Sequence, residues 1–123
     1  MWLRNMQKFN FSYDRENDDL FLFSKKSKSK GSVEMGDLVL DYNSKKELVG
    51  IELANASRFI KDVTGENFAA VRKTLCSLKE CKVDVKCQRN LLIIKIYLLG
   101  EKEIAPVISI PSLKENSPAL AYA

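Results

Sequence analysis

Between Phe9 and Ile110 the apolar positions alternate in short runs, broken once by a three-and-four spacing, and this pattern predicts strands on either side of a helix. Phe9, Phe11 and Tyr13 share one face of a first strand, Asp14 to Asp19 form a polar turn, and Leu20 to Phe23 return, with Leu20 and Leu22 opposite Tyr13 and Phe11. The returning strand is also apolar on its reverse face, through Phe21 and Phe23. Such a face calls for a cover, from a second layer of the chain or from another subunit. Gly36 to Ala54 reads as the next hairpin. A four-residue loop at Asn43 to Lys46 pairs Tyr42 with Glu47, Leu40 with Val49, Leu38 with Ile51 and Asp37 with Glu52, separating an aliphatic face from one that carries Asp37, Asp41 and Glu52.

The period then changes. Asn55 or Ser57 is placed to cap a short helical turn that buries Phe59, Ile60 and Val63. From Thr64 a longer helix is expected, over about residues 65–79, with Phe68, Val71, Leu75 and Leu78 on one stripe and Glu66 in its first turn. Three strands follow: Cys81 to Gln88, Leu91 to Leu99 and Glu103 to Ile110. The middle one is apolar on both faces, as a central strand would be, and Pro106 assigns the last to a sheet edge. The fold class is therefore α+β: antiparallel β-hairpins forming one or two sheets packed on a central amphipathic helix. The expected division is a lead at 1–8, a single domain at 9–110 made of halves 9–60 and 61–110, and a flexible tail at 111–123.

Composition narrows the function classes. The 123 residues are 46% hydrophobic and 29% charged, and apolar runs such as Leu91 to Ile94 fall far short of the roughly 20 residues that span a bilayer. Arg4 follows only three residues, so the beginning does not read as a secretion signal, and a cytoplasmic protein with no membrane role is expected. The net charge of +4 is spread over both halves. Its densest run, Lys25, Lys26, Lys28 and Lys30, reads first as a solvated connection between strands, with nucleic-acid contact, joined by Lys45 and Lys46, as the alternative.

Candidate chemistry is sparse. There is no histidine, and Cys76, Cys81 and Cys87 lack the paired spacing of a zinc site. Parity points Cys81 and Cys87 to the buried face, where free cysteine acts as a small hydrophobe. The acidic run from Asp14 fails the calcium-loop pattern at its sixth position, Asp19, and its twelfth, Lys25. Asp37, Asp41 and Glu52 could form a cation site or serve a hydrolase as acid and base, but no glycine-rich phosphate loop or nucleophile motif accompanies them. Capping accounts for Ser57. No catalytic residue and no cofactor is assigned, and the metal question stays open.

Tyr13-Asp14-Arg15-Glu16-Asn17-Asp18-Asp19-Leu20-Phe21-Leu22, then Val39-Leu40-Asp41-Tyr42, then Val49 to Ser57 resembles the prokaryotic family called domain of unknown function 2283. The family pattern runs YDxExDxLYI, an aspartate-bearing strand, and a GIEI-type strand that ends in an NAS-like turn. The likeness spans Tyr13 to Ile60; the lengthened Lys/Ser connection, Phe21 in place of tyrosine and everything beyond Ile60 depart from it. The resemblance implies a small β-rich self-associating domain with no established activity, and a binding role of the antitoxin kind. The expectation is a non-enzymatic protein-interaction module, most simply a homodimer, with Phe21 and Phe23 at the interface.

Overall fold

The alternating runs pair into one antiparallel sheet. In this computed structural model residues 6–25 and 27–111 are described; Lys26, most of the lead and all of the tail beyond Pro111 lie outside the described residues. The elements in chain order are β1 (Met6–Asp14), β2 (Asp19–Phe23), β3 (Gly31–Met35), β4 (Leu38–Tyr42), β5 (Leu48–Leu53), α1 (Ala56–Thr64), α2 (Phe68–Cys76), β6 (Glu80–Gln88), β7 (Leu91–Leu99), β8 (Glu103–Ile104) and β9 (Val107–Pro111). The strands run in the order β3-β4-β5-β2-β1-β6-β7-β8, and β9 also pairs with β7.

β1 joins the two halves. Its second part, Asn10 to Asp14, pairs with β2, while its first part, Met6 to Phe9, pairs with β6. A strand that changes neighbour midway bends the sheet. Tyr42 and Leu48 from the N-terminal half accordingly line one hollow with Val83, Val85 and Leu92 from the C-terminal half. The inward positions of both halves, Leu20, Leu22, Leu40, Ile51 and Leu53 with Cys81, Val83, Ile94, Ile96 and Leu98, merge into one core together with Ile60, Val71 and Leu75 of the helices. Burying each such aliphatic side chain contributes about 1.5–3 kcal/mol, so the core is the main stabilising term.

Most strand expectations hold, including Leu20 opposite Tyr13 and Leu22 opposite Phe11. β3 was not expected. Its sequence, Gly-Ser-Val-Glu-Met, has only half-buried inward positions because it lies at the sheet edge, so its apolar alternation is weak. The last expected strand is split at Ala105 and Pro106 into β8 and β9, both on β7. The short turn expected after Asn55 is a full helix, α1, and the helix expected over 65–79 is the shorter α2, the two being separated at Gly65–Asn67. Gly65 closes α1 in the left-handed conformation (φ 76), and the Asn67 side chain accepts from the Ala70 N–H at 3.2 Å to start α2. Glu66 therefore precedes α2 and bonds Lys102 at 2.8 Å. Phe68, expected on the buried stripe, is exposed at the first turn. Cys81 is buried, but Cys87 lies near the end of β6 and is exposed.

The β4–β5 register differs from the expected one by two residues. Leu38 pairs with Leu53, Leu40 with Ile51 and Asp41 with Gly50, with an irregularity between Asp41 and Tyr42. The cause is Asn43. Its side-chain oxygen accepts the N–H groups of Lys45 and Glu47, both at 2.9 Å, and Lys46 takes φ 64, which closes a longer loop than the four residues first assigned. A shift of two preserves parity, so the aliphatic face survives while every pairing across the strands changes.

Candidate functional site

The family-like segment contains two clusters of polar side chains, one on each side of the sheet's strand ends and faces. The first forms where the β1–β2 turn meets the start of α1. Asp14 ties the turn down: its Oδ1 accepts the N–H groups of Glu16 and Asn17, and its Oδ2 accepts from the Asn17 side chain. The Asn17 bonds hold the Asp14 carboxyl below its usual range. Asp18 then adopts φ 57 and turns its carboxylate toward α1. It accepts the Ser57 N–H at 3.1–3.2 Å, the Ser57 hydroxyl at 2.6 Å and the Tyr13 phenol at 2.5 Å, and Arg72 of α2 stands 3.6 Å away.

Asp18 is thus the N-terminal cap of α1, supplied from 39 residues upstream. Neither residue first considered takes that role. Asn55 is left-handed (φ 50) and makes no side-chain cap bond, while Ser57 is a donor to the cap. Burial and the Asp18 carboxylate push the Tyr13 phenol above its usual range. Ser57 is fully buried and its hydroxyl is committed to Asp18, so it is no accessible nucleophile.

The second cluster lies on the outer face of β2–β5. Asp41 is only 6% exposed and leans over Gly50, its cross-strand partner; a Cβ on Gly50 would come within 2.7 Å of Asp41 Oδ2. Ser32 of β3 donates to Asp41 Oδ1 at 2.5 Å. Glu52 lies two pairs along on β5, on the same face, and bonds the Asp41 carboxyl. Two carboxyl groups can bond only when one carries a proton. That bond, partial burial and the charges of Asp41 and Glu34 raise Glu52 to about 6. The expected Asp37–Glu52 pair does not form: Asp37 takes the Ala54 N–H on its backbone oxygen, and its exposed side chain accepts from Asn55 at 3.4 Å.

Phe21 and Phe23 stand on the same outer face. Phe21 is directly opposite Glu52 and Phe23 opposite Gly50, with ring centroids 5.0 Å apart, and Phe21 is 40% exposed. Lys25, Lys28 and Lys30 are exposed on the β2–β3 connection, whose end at Lys30 donates its backbone N–H to Tyr42 of β4 at 2.7 Å. Among the described residues no group of three or more His, Cys, Asp or Glu is arranged to hold a metal ion, and no helix is long and apolar enough to cross a membrane. What the second cluster can do chemically is exchange one proton near pH 6 beside an exposed aromatic pair.

Asp18, Ser32 and Asn43 were not recognised from sequence. Asp18 had the only usable signal, a third acid in a turn whose backbone needs were already met by Asp14.

Residues 10–57 match the family described as "Protein of unknown function (DUF2283)". An uncharacterized protein of Methanocaldococcus jannaschii is 37% identical over 51 residues, 42% of this chain and 44% of the relative, so the chain covers less than half of that protein's length. No solved structure matches the chain. The match runs from β1 to the first turn of α1 and takes in most of both polar clusters, so it is this segment, residues 10–57, that is similar to the family of unknown function 2283.

Proposed function

We propose that this protein is a self-associating interaction module whose contact surface is the outer face of β2–β5. The observation that carries this reading is the Phe21–Phe23 pair, 40% exposed at Phe21 and sited on β2, near the middle of the strand order. An aromatic centre with a polar rim is the pattern of an interface hot spot. The rim here is acidic, through Glu34, Asp41 and Glu52, so two copies meeting through this face bring like charges together and the contact should tighten as pH falls through about 6 and Glu52 takes up its proton.

Light scattering over a range of concentrations tests this. Association gives a mass approaching twice the 14.0 kDa of one chain, and Phe21→Ser with Phe23→Ser returns it to one. A concentration-independent single-chain mass for the unaltered protein would sink the proposal.

A further inference from the structure

The end of β2 remote from the α1 cap is basic, and three separate segments make it so. Lys8 comes from β1, Lys25 from the start of the β2–β3 connection and Lys46 from the β4–β5 turn. Lys8 and Lys25 line a cleft of about 700 Å³, whose polar lining includes Asn10 and Ser27 and whose floor includes buried Leu48 and Val49. Lys46 lines an adjoining hollow of about 330 Å³ that shares Leu48 and Glu47 with the cleft.

The negative charge nearby is partly occupied. Glu47 accepts from the Asn43 side chain at 2.9 Å, and Glu80, 3.7 Å from Lys8, also lies 4.0 Å from Lys82. Lys25 and Lys46 make no ion pair among the described residues. All three lysines are exposed, so their charge faces solvent.

From this juxtaposition we infer that the cleft between the β2–β3 connection and the β4–β5 turn binds a single strand of nucleic acid, phosphates on Lys8, Lys25 and Lys46. Lysine ammoniums act as point charges for phosphate without reading sequence. A recess walled by two turns admits one strand with splayed bases more readily than a duplex, and its apolar floor offers a surface for a base. The site is distinct from the Phe21–Phe23 face, so the two readings stand or fall separately.

The test is fluorescence anisotropy with labelled twelve-nucleotide oligo-dT and oligo-U, in 50 and 200 mM salt. Three phosphate contacts on a single strand give a salt slope near −2, so the fourfold rise in salt should weaken binding by about twentyfold. Lys25→Gln with Lys46→Gln should reduce that loss to about threefold. A thermal melt and light scattering on the double variant should match the unaltered protein, because both lysines are exposed and lie off the aromatic face. Absence of binding in 50 mM salt overturns the inference, as does an unchanged salt slope in the double variant. Equal affinity for a labelled twelve-residue polyglutamate also overturns it, in favour of an acidic protein segment.

Discussion

Asp18 and Asp41 each accept a hydrogen bond from a serine, yet they end in opposite situations. Around Asp18 the carboxylate receives the N–H and hydroxyl of Ser57 in α1, the Tyr13 phenol of β1 and a nearby guanidinium from α2. Every group is answered within the chain, so the cluster holds α1 on the turn and has nothing left to offer a ligand. Around Asp41 the supply is short: one hydroxyl and a second carboxyl that must keep a proton to remain. A satisfied polar cluster fastens a fold, whereas a neighbouring one left partly unsatisfied on an open face can respond to pH or to a partner.

Removing the first carboxylate is the sharpest way to break this contrast. Asp18→Ala leaves the buried Ser57 hydroxyl and the Tyr13 phenol without their acceptor and uncaps α1, and it should cost about 2–4 kcal/mol in denaturant unfolding. Ser57→Ala removes one donor and should cost about 1 kcal/mol. A loss for Asp18→Ala no larger than that for Ser57→Ala would show that the cap does not fasten the helix.

Gly50→Ala should come next. The added Cβ meets Asp41 Oδ2 at 2.7 Å, and moving a packed carboxyl aside costs about 1–3 kcal/mol. The same displacement separates Asp41 from Glu52, so an NMR titration should find Glu52 moved down toward an ordinary glutamate. An unmoved Glu52 would mean that burial alone holds its proton.

The pH effect is smaller. Glu52 holds its proton up to about 6 in the folded protein against 4.5 ordinarily, so between those values the folded state binds more protons than the unfolded chain. Stability therefore falls as pH rises through that window. Glu52 is exposed, and solvent screening keeps the change under about 1 kcal/mol. Melting temperatures from pH 4 to 7 should show this decline, and Glu52→Gln should flatten it. Asp37→Asn, at a side chain with one long bond at 3.4 Å, should stay within about 0.5 kcal/mol of the unaltered protein. A larger effect there would return Asp37 to the acidic site.

Legibility followed physical range. Phe9 to Phe23 could be read down to its residue pairs because a four-residue turn leaves little freedom to slip. The β4–β5 hairpin could be read for its faces and not for its register, because Asn43 adds a residue to the loop by bonding inside it, and period alone is blind to a shift of two. That is why Asp41 and Glu52 were named but paired with the wrong neighbour. Edge strand β3 lacked the apolar alternation that marks an inner strand. The two helical segments were legible, but their bounds were not: α1 runs on to Thr64 and α2 starts only at Phe68, after the Asn67 cap, because three-and-four spacing does not mark where a cap falls.

By itself the sequence determined which side chains turn inward along the inner strands, because the period of two along a strand is a local property of each backbone, though not at the end of β6, where Cys87 is exposed. It also carried the likeness of residues 10–57 to a known family, through three short blocks in order. Only the tertiary structure decided that Asp18 caps a helix 39 residues away, that Glu52 shares a proton with Asp41, and that lysines from three segments gather at one end. Each depends on chain segments far apart in sequence being brought within hydrogen-bonding or charge range, and local periodicity carries no information about that distance.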